Sequence, residues 1–163
     1  LRSFDPNLRL PLWDSPAAAR EKIEFGLRHC DILKISDDEL EFVTGERDAD
    51  KGLARLWTRC DAGLVCVTMG RRGSRAWYRG LSAARGGFSD VRAVDTTGAG
   101  DTFTACLLDA VLAHGINGFD EQKLYEMLTF ANAAAAIVIT RRGALRVMPE
   151  KAEVQRFLAA HSA

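Results

Sequence analysis

Short apolar runs of strand length alternate with helical patterns along most of the chain. That alternation restricts the fold to an α/β arrangement, a parallel sheet flanked by helices. The runs fall at residues 1–5, 31–35 and 64–68, and the last is continuously apolar, as a central strand buried on both faces is. Ser15-Pro16 opens a helix running to about Cys30, with proline at its first position. Ser36-Asp37-Asp38-Glu39 has capping-box spacing and starts a short helix that Gly45 ends. A third helix covers about 49–60. Gly70-Arg71-Arg72-Gly73 reads as a tight turn into a strand over 74–79, and the glycine-containing stretch 80–90 reads as a loop. Residues 91–94 then lead to helices at about 100–114, 121–140 and 149–160. The 163 residues suit one domain, 1–163, that buries about 68–70% of its unfolded surface.

Composition excludes several partners. Lysine and arginine, 22 together, balance 22 aspartates and glutamates, so there is no electrostatic case for nucleic acid or an anionic membrane. No uncharged run approaches the roughly 18 residues of a membrane helix. Cys30, Cys60, Cys66 and Cys106 lie in or beside apolar segments without C-x-x-C spacing, and read as buried reduced thiols in a cytoplasmic protein. His29, His114 and His161 are scattered, so no zinc site is expected.

The chemistry concentrates in Asp95-Thr96-Thr97-Gly98-Ala99-Gly100-Asp101-Thr102-Phe103, which runs straight into a helical pattern. Small residues let a phosphate approach the backbone, and the first N–H groups of a helix, unpaired and at the positive end of its dipole, attract anions. A carboxylate repels phosphate unless it is needed there as a base. Asp101 beside such a cradle therefore points to phosphoryl transfer onto a hydroxyl. Rival phosphate motifs are absent: there is no G-x-x-x-x-G-K-[ST], and Phe103 stands where a dinucleotide fingerprint needs glycine. Taken alone, Gly-Ala-Gly-Asp also reads as a capped helix with a tight turn.

The same segment resembles the second signature of the ribokinase-like (PfkB) carbohydrate kinases. Four further stretches resemble that family in its order and spacing: Phe4-Asp5-Pro6-Asn7-Leu8-Arg9-Leu10-Pro11-Leu12-Trp13, Lys34-Ile35-Ser36-Asp37-Asp38-Glu39-Leu40-Glu41-Phe42-Val43-Thr44-Gly45, Val67-Thr68-Met69-Gly70-Arg71-Arg72-Gly73-Ser74, and Asn132-Ala133-Ala134-Ala135-Ala136. The set is closest to the fructokinase-like branch. It implies a ribokinase-like parallel-sheet sandwich with flanking helices, of which this chain is the C-terminal portion. The family's first signature, sugar-contacting segments and lid are expected upstream of Leu1.

The resemblance implies a site. Gly98, Ala99 and Gly100 would form an anion hole for the transferring phosphoryl group, with Asp101 as base. Asn7, Arg9, Ser36, Thr68, Gly70, Arg71, Gly73 and Asn132 would contact the nucleotide. Alternatives stay open for several of them: an Asx turn and a surface arginine for Asn7 and Arg9, a helix cap for Ser36, a solvated side chain for Arg71, a buried amide for Asn132. Glu39 would assist Mg2+ through water or complete the capping box. Asp95 and Thr97, with carbonyls near Val138, Arg141 and Gly143, resemble a monovalent-cation site for K+. Arg146 and Val147 depart from the family's pattern beside it, and Cys106 replaces a small residue.

The implied function is an ATP-dependent sugar kinase, fructokinase-like, moving the γ-phosphate to a primary hydroxyl, with sugar and ATP as small-molecule partners. A complementing N-terminal half or a homo-oligomer would accompany it, and the portion alone is expected to have little activity. The alternatives are a kinase-derived nucleotide-binding subunit without turnover, or a ribokinase- or ketodeoxygluconate-kinase-type enzyme.

Overall fold

A computed structural model describes residues 1–161 as two compact units, residues 1–69 with 77–80 and residues 70–76 with 81 onward. The first unit contains β1 (Ser3–Phe4), β2 (Ile32–Ser36) and β3 (Leu64–Thr68), with α1 (Pro16–Leu27), α2 (Asp37–Thr44) and α3 (Ala49–Leu56) between them. The three strands are parallel neighbours, with Phe4 opposite Leu33, Ile32 opposite Leu64 and Ser36 opposite Thr68. Parallel pairing requires crossover connections, which the helices supply. One core joins strands to helices: Leu33, Ile35, Val65 and Val67 pack with Ile23, Leu27, Leu40, Val43 and Leu56.

The expected caps form. The Ser15 side chain accepts from Ala18 N–H ahead of Pro16, and Gly45 closes α2 at φ 75°. Two helices end earlier than their periodicity predicts. α1 stops at Leu27 rather than about Cys30. α3 stops at Leu56 because Thr58 N–H and Arg59 N–H turn to Arg55 and Leu56 carbonyls, three residues back, tightening the last turn. β1 is likewise shorter than the expected strand over 1–5.

The second unit carries β5 (Leu81–Arg85), α4 (Ala99–His114), α5 (Glu121–Ile139) and α6 (Lys151–Ala160). The boundary between units falls inside β4 (Ser74–Tyr78), which neighbours β5. The reading of residues 80–90 as loop is corrected by β5. Arg79 and Gly80, at φ 47° and 85°, make a two-residue connection from β4 to β5. Two successive positive φ values are those of a hairpin turn that matches strand twist. In the core of this unit Ala133, Ala134 and Ile137 of α5 pack with Val154 of α6, against Phe88, Phe130 and Phe157. Among the described residues no helix is long and apolar enough to cross a membrane.

Candidate functional site

In the second unit, Gly98 is the N-cap of α4 and adopts φ 84°, ψ −4°. A side chain there would be strained by that φ, and its Cβ would lie 3.1 Å from the Ala144 Cα. Glycine thus lets the entry to α4 lie against the loop after α5. The first intrahelical bond is Thr102 N–H to Gly98 O, 2.9 Å. The N–H groups of Ala99, Gly100 and Asp101 precede it, so the helix gives them no i−4 acceptor; Ala99 N–H keeps a long 3.3 Å bond to Thr96 O. No side chain caps this end, and Asp101 is exposed in its first turn. The amides of Gly100 and Asp101 and the Asp101 carboxylate thus share one open helix terminus.

Asp95 is fixed just before this terminus. Val94 and Asp95 N–H both donate to Ile139 O at the end of α5, while the carboxylate accepts from Thr97 N–H (2.9 Å) and Gly143 N–H (3.3 Å). The Thr97 amide, then its hydroxyl, then the Gly143 amide hold the Asp95 carboxyl below the usual carboxylate range. Three of a carboxylate's roughly four lone-pair positions are thereby used, which leaves about one free for a hard cation. Val138 O accepts from Arg141 N–H at 3.0 Å, and Gly143 meets Asp95 through its N–H. The Arg141 guanidinium is paired with Glu153 on α6 and donates to Val147 O, anchoring this loop.

Gly73 and Asn132 both meet Arg85 O in a second cluster of the same unit, and Gly73 N–H donates to Gly70 O. Gly73 has φ 93°, and a Cβ on it would fall 2.1 Å from Arg85 O, so only glycine fits where the Gly70–Arg72 turn touches the end of β5. Asn132 on α5 is 8% exposed. Its carbonyl accepts from the Ser74 hydroxyl at 2.8 Å, and its amide donates to Arg85 O at 3.1 Å and Gly86 O at 3.5 Å. Of its two open readings, the geometry fills the buried-amide one. Arg71 is exposed on the turn.

In the first unit, the remaining candidates gather at the C-terminal ends of the parallel strands, where open α/β sheets bind ligands. Thr68 ends β3 opposite Ser36 at the end of β2. Asn7 and Arg9 follow β1 and are exposed. Asn7 has φ 43°, and its N–H bonds Asp5 Oδ1 at 3.3 Å, an Asx turn. Ser36 and Glu39 form the full capping box: Ser36 Oγ accepts from Glu39 N–H, and Glu39 Oε2 accepts from both Ser36 N–H and Ser36 Oγ–H, 2.8 Å each. The other oxygen, Oε1, accepts Leu8 N–H at 2.7 Å. Glu39, 8% exposed, thus has a protein donor on each of its oxygens.

Sequence patterns missed two groups. Ser74 completes the Asn132 cluster, and the buried Lys34 holds Asp5. A hydroxyl at the start of a strand gives no signal by itself, whereas a lysine inside the apolar run of β2 does. Cys30, Cys60, Cys66 and Cys106 are free thiols, the first three buried. Burial pushes Cys66 up to about 12 and, with Asp109, Cys106 up to about 11; the hydrogen bond to Cys60 and burial raise Cys30. Cys30, Cys66 and Cys106 thus stay protonated and unreactive at neutral pH.

Residues 1–151 match the family model described as pfkB family carbohydrate kinase. The chain is 40% identical over 158 residues to Probable fructokinase-2 of Arabidopsis thaliana, covering 97% of this chain and 48% of that protein. It also resembles a fructokinase double mutant from Vibrio cholerae O395, solved with fructose, ADP and potassium ion bound. There the TM-score is 0.85 at 29% identity, over 96% of this chain and 49% of the other. A putative ribokinase II from E. coli, solved with ATP and Mg2+, gives a TM-score of 0.80 at 28% identity, over 98% and 48%. The chain spans about half the length of the curated relatives it matches.

Proposed function

Because the chain belongs to the pfkB family of carbohydrate kinases, we propose that it carries the nucleotide side and the general base of an ATP-dependent sugar kinase, most like a fructokinase. The observation that carries this reading is the open N-terminus of α4, where unpaired amides and the exposed Asp101 carboxylate stand together. Asp101 takes the proton of a sugar primary hydroxyl as its oxygen attacks the γ-phosphorus. The bond from that phosphorus to the β–γ bridging oxygen breaks, and ADP leaves. The N–H groups of the Gly98-Ala99-Gly100 segment face the charge that builds on the phosphoryl oxygens. A positioned base contributes about 10²–10⁴-fold, and one donor of this kind about 3 kcal/mol.

Other residues take roles around the nucleotide. Thr68, Gly70, Arg71 and Gly73 serve it from the end of β3 and the turn that follows. Asn7, Arg9 and Ser36 serve it from the ends of β1 and β2. Asn132 acts by fixing the backbone of residues 85 and 86, which it holds directly. Glu39, with a protein donor on each oxygen, would assist Mg2+ through water. Asp95 and Thr97 would hold K+, with carbonyls of residues 138, 141 and 143, and the ion would strengthen the field at the α4 terminus.

Similarity to proteins named fructokinase, one of them solved with fructose, favours fructose as acceptor. Calorimetry and a coupled assay test the reading together. MgATP binds the chain saturably, and Asp101→Asn leaves that binding in place. Fructose-dependent ADP release, expected to be weak for these residues alone, falls about 10²–10⁴-fold in the variant. A chain that binds no MgATP, or a variant with unchanged turnover, overturns it. Replacing fructose by ribose separates the two sugar classes.

A further inference from the structure

Lys34 sits in β2 with 6% of its surface exposed, between the core residues Leu33 and Ile35. A buried ammonium is costly, and apolar side chains of similar volume in place of it and its ionic partner would serve stability as well or better. Its charge therefore needs another reason. Its Nζ lies 3.1 Å and 3.3 Å from the two carboxylate oxygens of Asp5, just beyond β1. Asp5 Oδ1 also holds Asn7 N–H, and the next amide, Leu8 N–H, is held by the buried Glu39.

Strand alternation places Lys34 and Ser36 on the same face of β2, opposite Leu33 and Ile35. Lys34 secures Asp5 and Ser36 secures Glu39, so two successive backbone amides are gripped by two carboxylates, each fixed by a residue of β2. The side chains that project from this gripped turn are the exposed Asn7 and Arg9. Asn7 is held at φ 43°, which a free turn would populate sparsely.

We infer that Lys34 is a positioning residue: through Asp5 it holds the turn at residues 5–9 in the one geometry that presents Asn7 and Arg9 to a bound nucleotide. This rests on the nucleotide reading for its ligand, but the positioning itself is independent of it.

The test is the double variant Lys34→Met/Asp5→Asn, which leaves no unpaired charge buried and keeps an oxygen for Asn7 N–H. Amide hydrogen exchange at Leu8 and Asn7, and MgATP affinity by calorimetry, are compared with the unaltered chain and with Lys34→Arg. Exchange at both amides is expected to accelerate about tenfold or more and the Kd for MgATP to rise about tenfold, with Lys34→Arg recovering most of each. Protection and affinity unchanged in a folded double variant overturn the inference. Should that variant not fold, Lys34→Met alone carries the same two readouts, and unchanged values there overturn the inference equally. If the unaltered chain binds no MgATP, the nucleotide reading fails, and the exchange rates still decide whether Lys34 positions the turn.

Discussion

Asn132 ties the Ser74 hydroxyl and the backbone at residues 85 and 86 to α5 with one amide, and its worth is separable from any ligand. Truncating it to alanine removes the partner of the fully buried Ser74 hydroxyl and of the half-buried Arg85 carbonyl. Stranding such groups costs about 1–3 kcal/mol. Asn132→Ala is therefore expected to lower the unfolding free energy in urea by that amount in the absence of nucleotide; an unchanged midpoint would show that the amide is not structural. The sequence made the position conspicuous, a polar group among alanines, but its partner Ser74 is 58 residues away. Gly73 is a parallel case. Its glycine was legible as a turn residue, whereas the 2.1 Å approach of Arg85 O that demands it arises only once β5 is folded beside it.

Elements were legible where their local signals agreed. α2 formed with its capping box because Ser36, Glu39 and Gly45 are all read within one short segment. β5 was not, because Leu-Ser-Ala-Ala-Arg has little strand propensity and is flanked by glycines; pairing, a non-local interaction, decides it. The connection between the start of α4 and the end of α5 is also non-local, and there Asp95 bridges to Gly143. Its carboxyl lies below the usual range when folded, because the Thr97 and Gly143 donors favour the charged form. The stabilisation is thus complete above the unfolded value, about 3.9, and is lost as pH falls through the lowered folded one. Melting temperature measured between about pH 2 and 5 should fall less steeply for Asp95→Asn than for the unaltered chain; identical acid limbs would contradict the assignment.

At the scale of the whole chain, two kinds of sequence information converged. Alternating strand and helix patterns gave the parallel β1–β3 arrangement with helices between its strands, and five motifs gave the family. Both survive, with the match to residues 1–151 and the solved kinases covering 96–98% of this chain. What the patterns could not convey is how the candidate residues are held: Lys34 under Asp5, Glu39 gripping Leu8, Ser74 behind Asn132. These are contacts between segments distant in the chain, and a motif records its members without their supports.

The proposed function stands or falls on whether the start of α4 receives the phosphates of a nucleotide. Following backbone amide resonances as MgATP is added decides it. Saturable shifts are expected, largest at Gly98, Ala99, Gly100 and Asp101, and persisting in Asp101→Asn. Saturable binding that leaves those four amides unmoved would contradict the assignment.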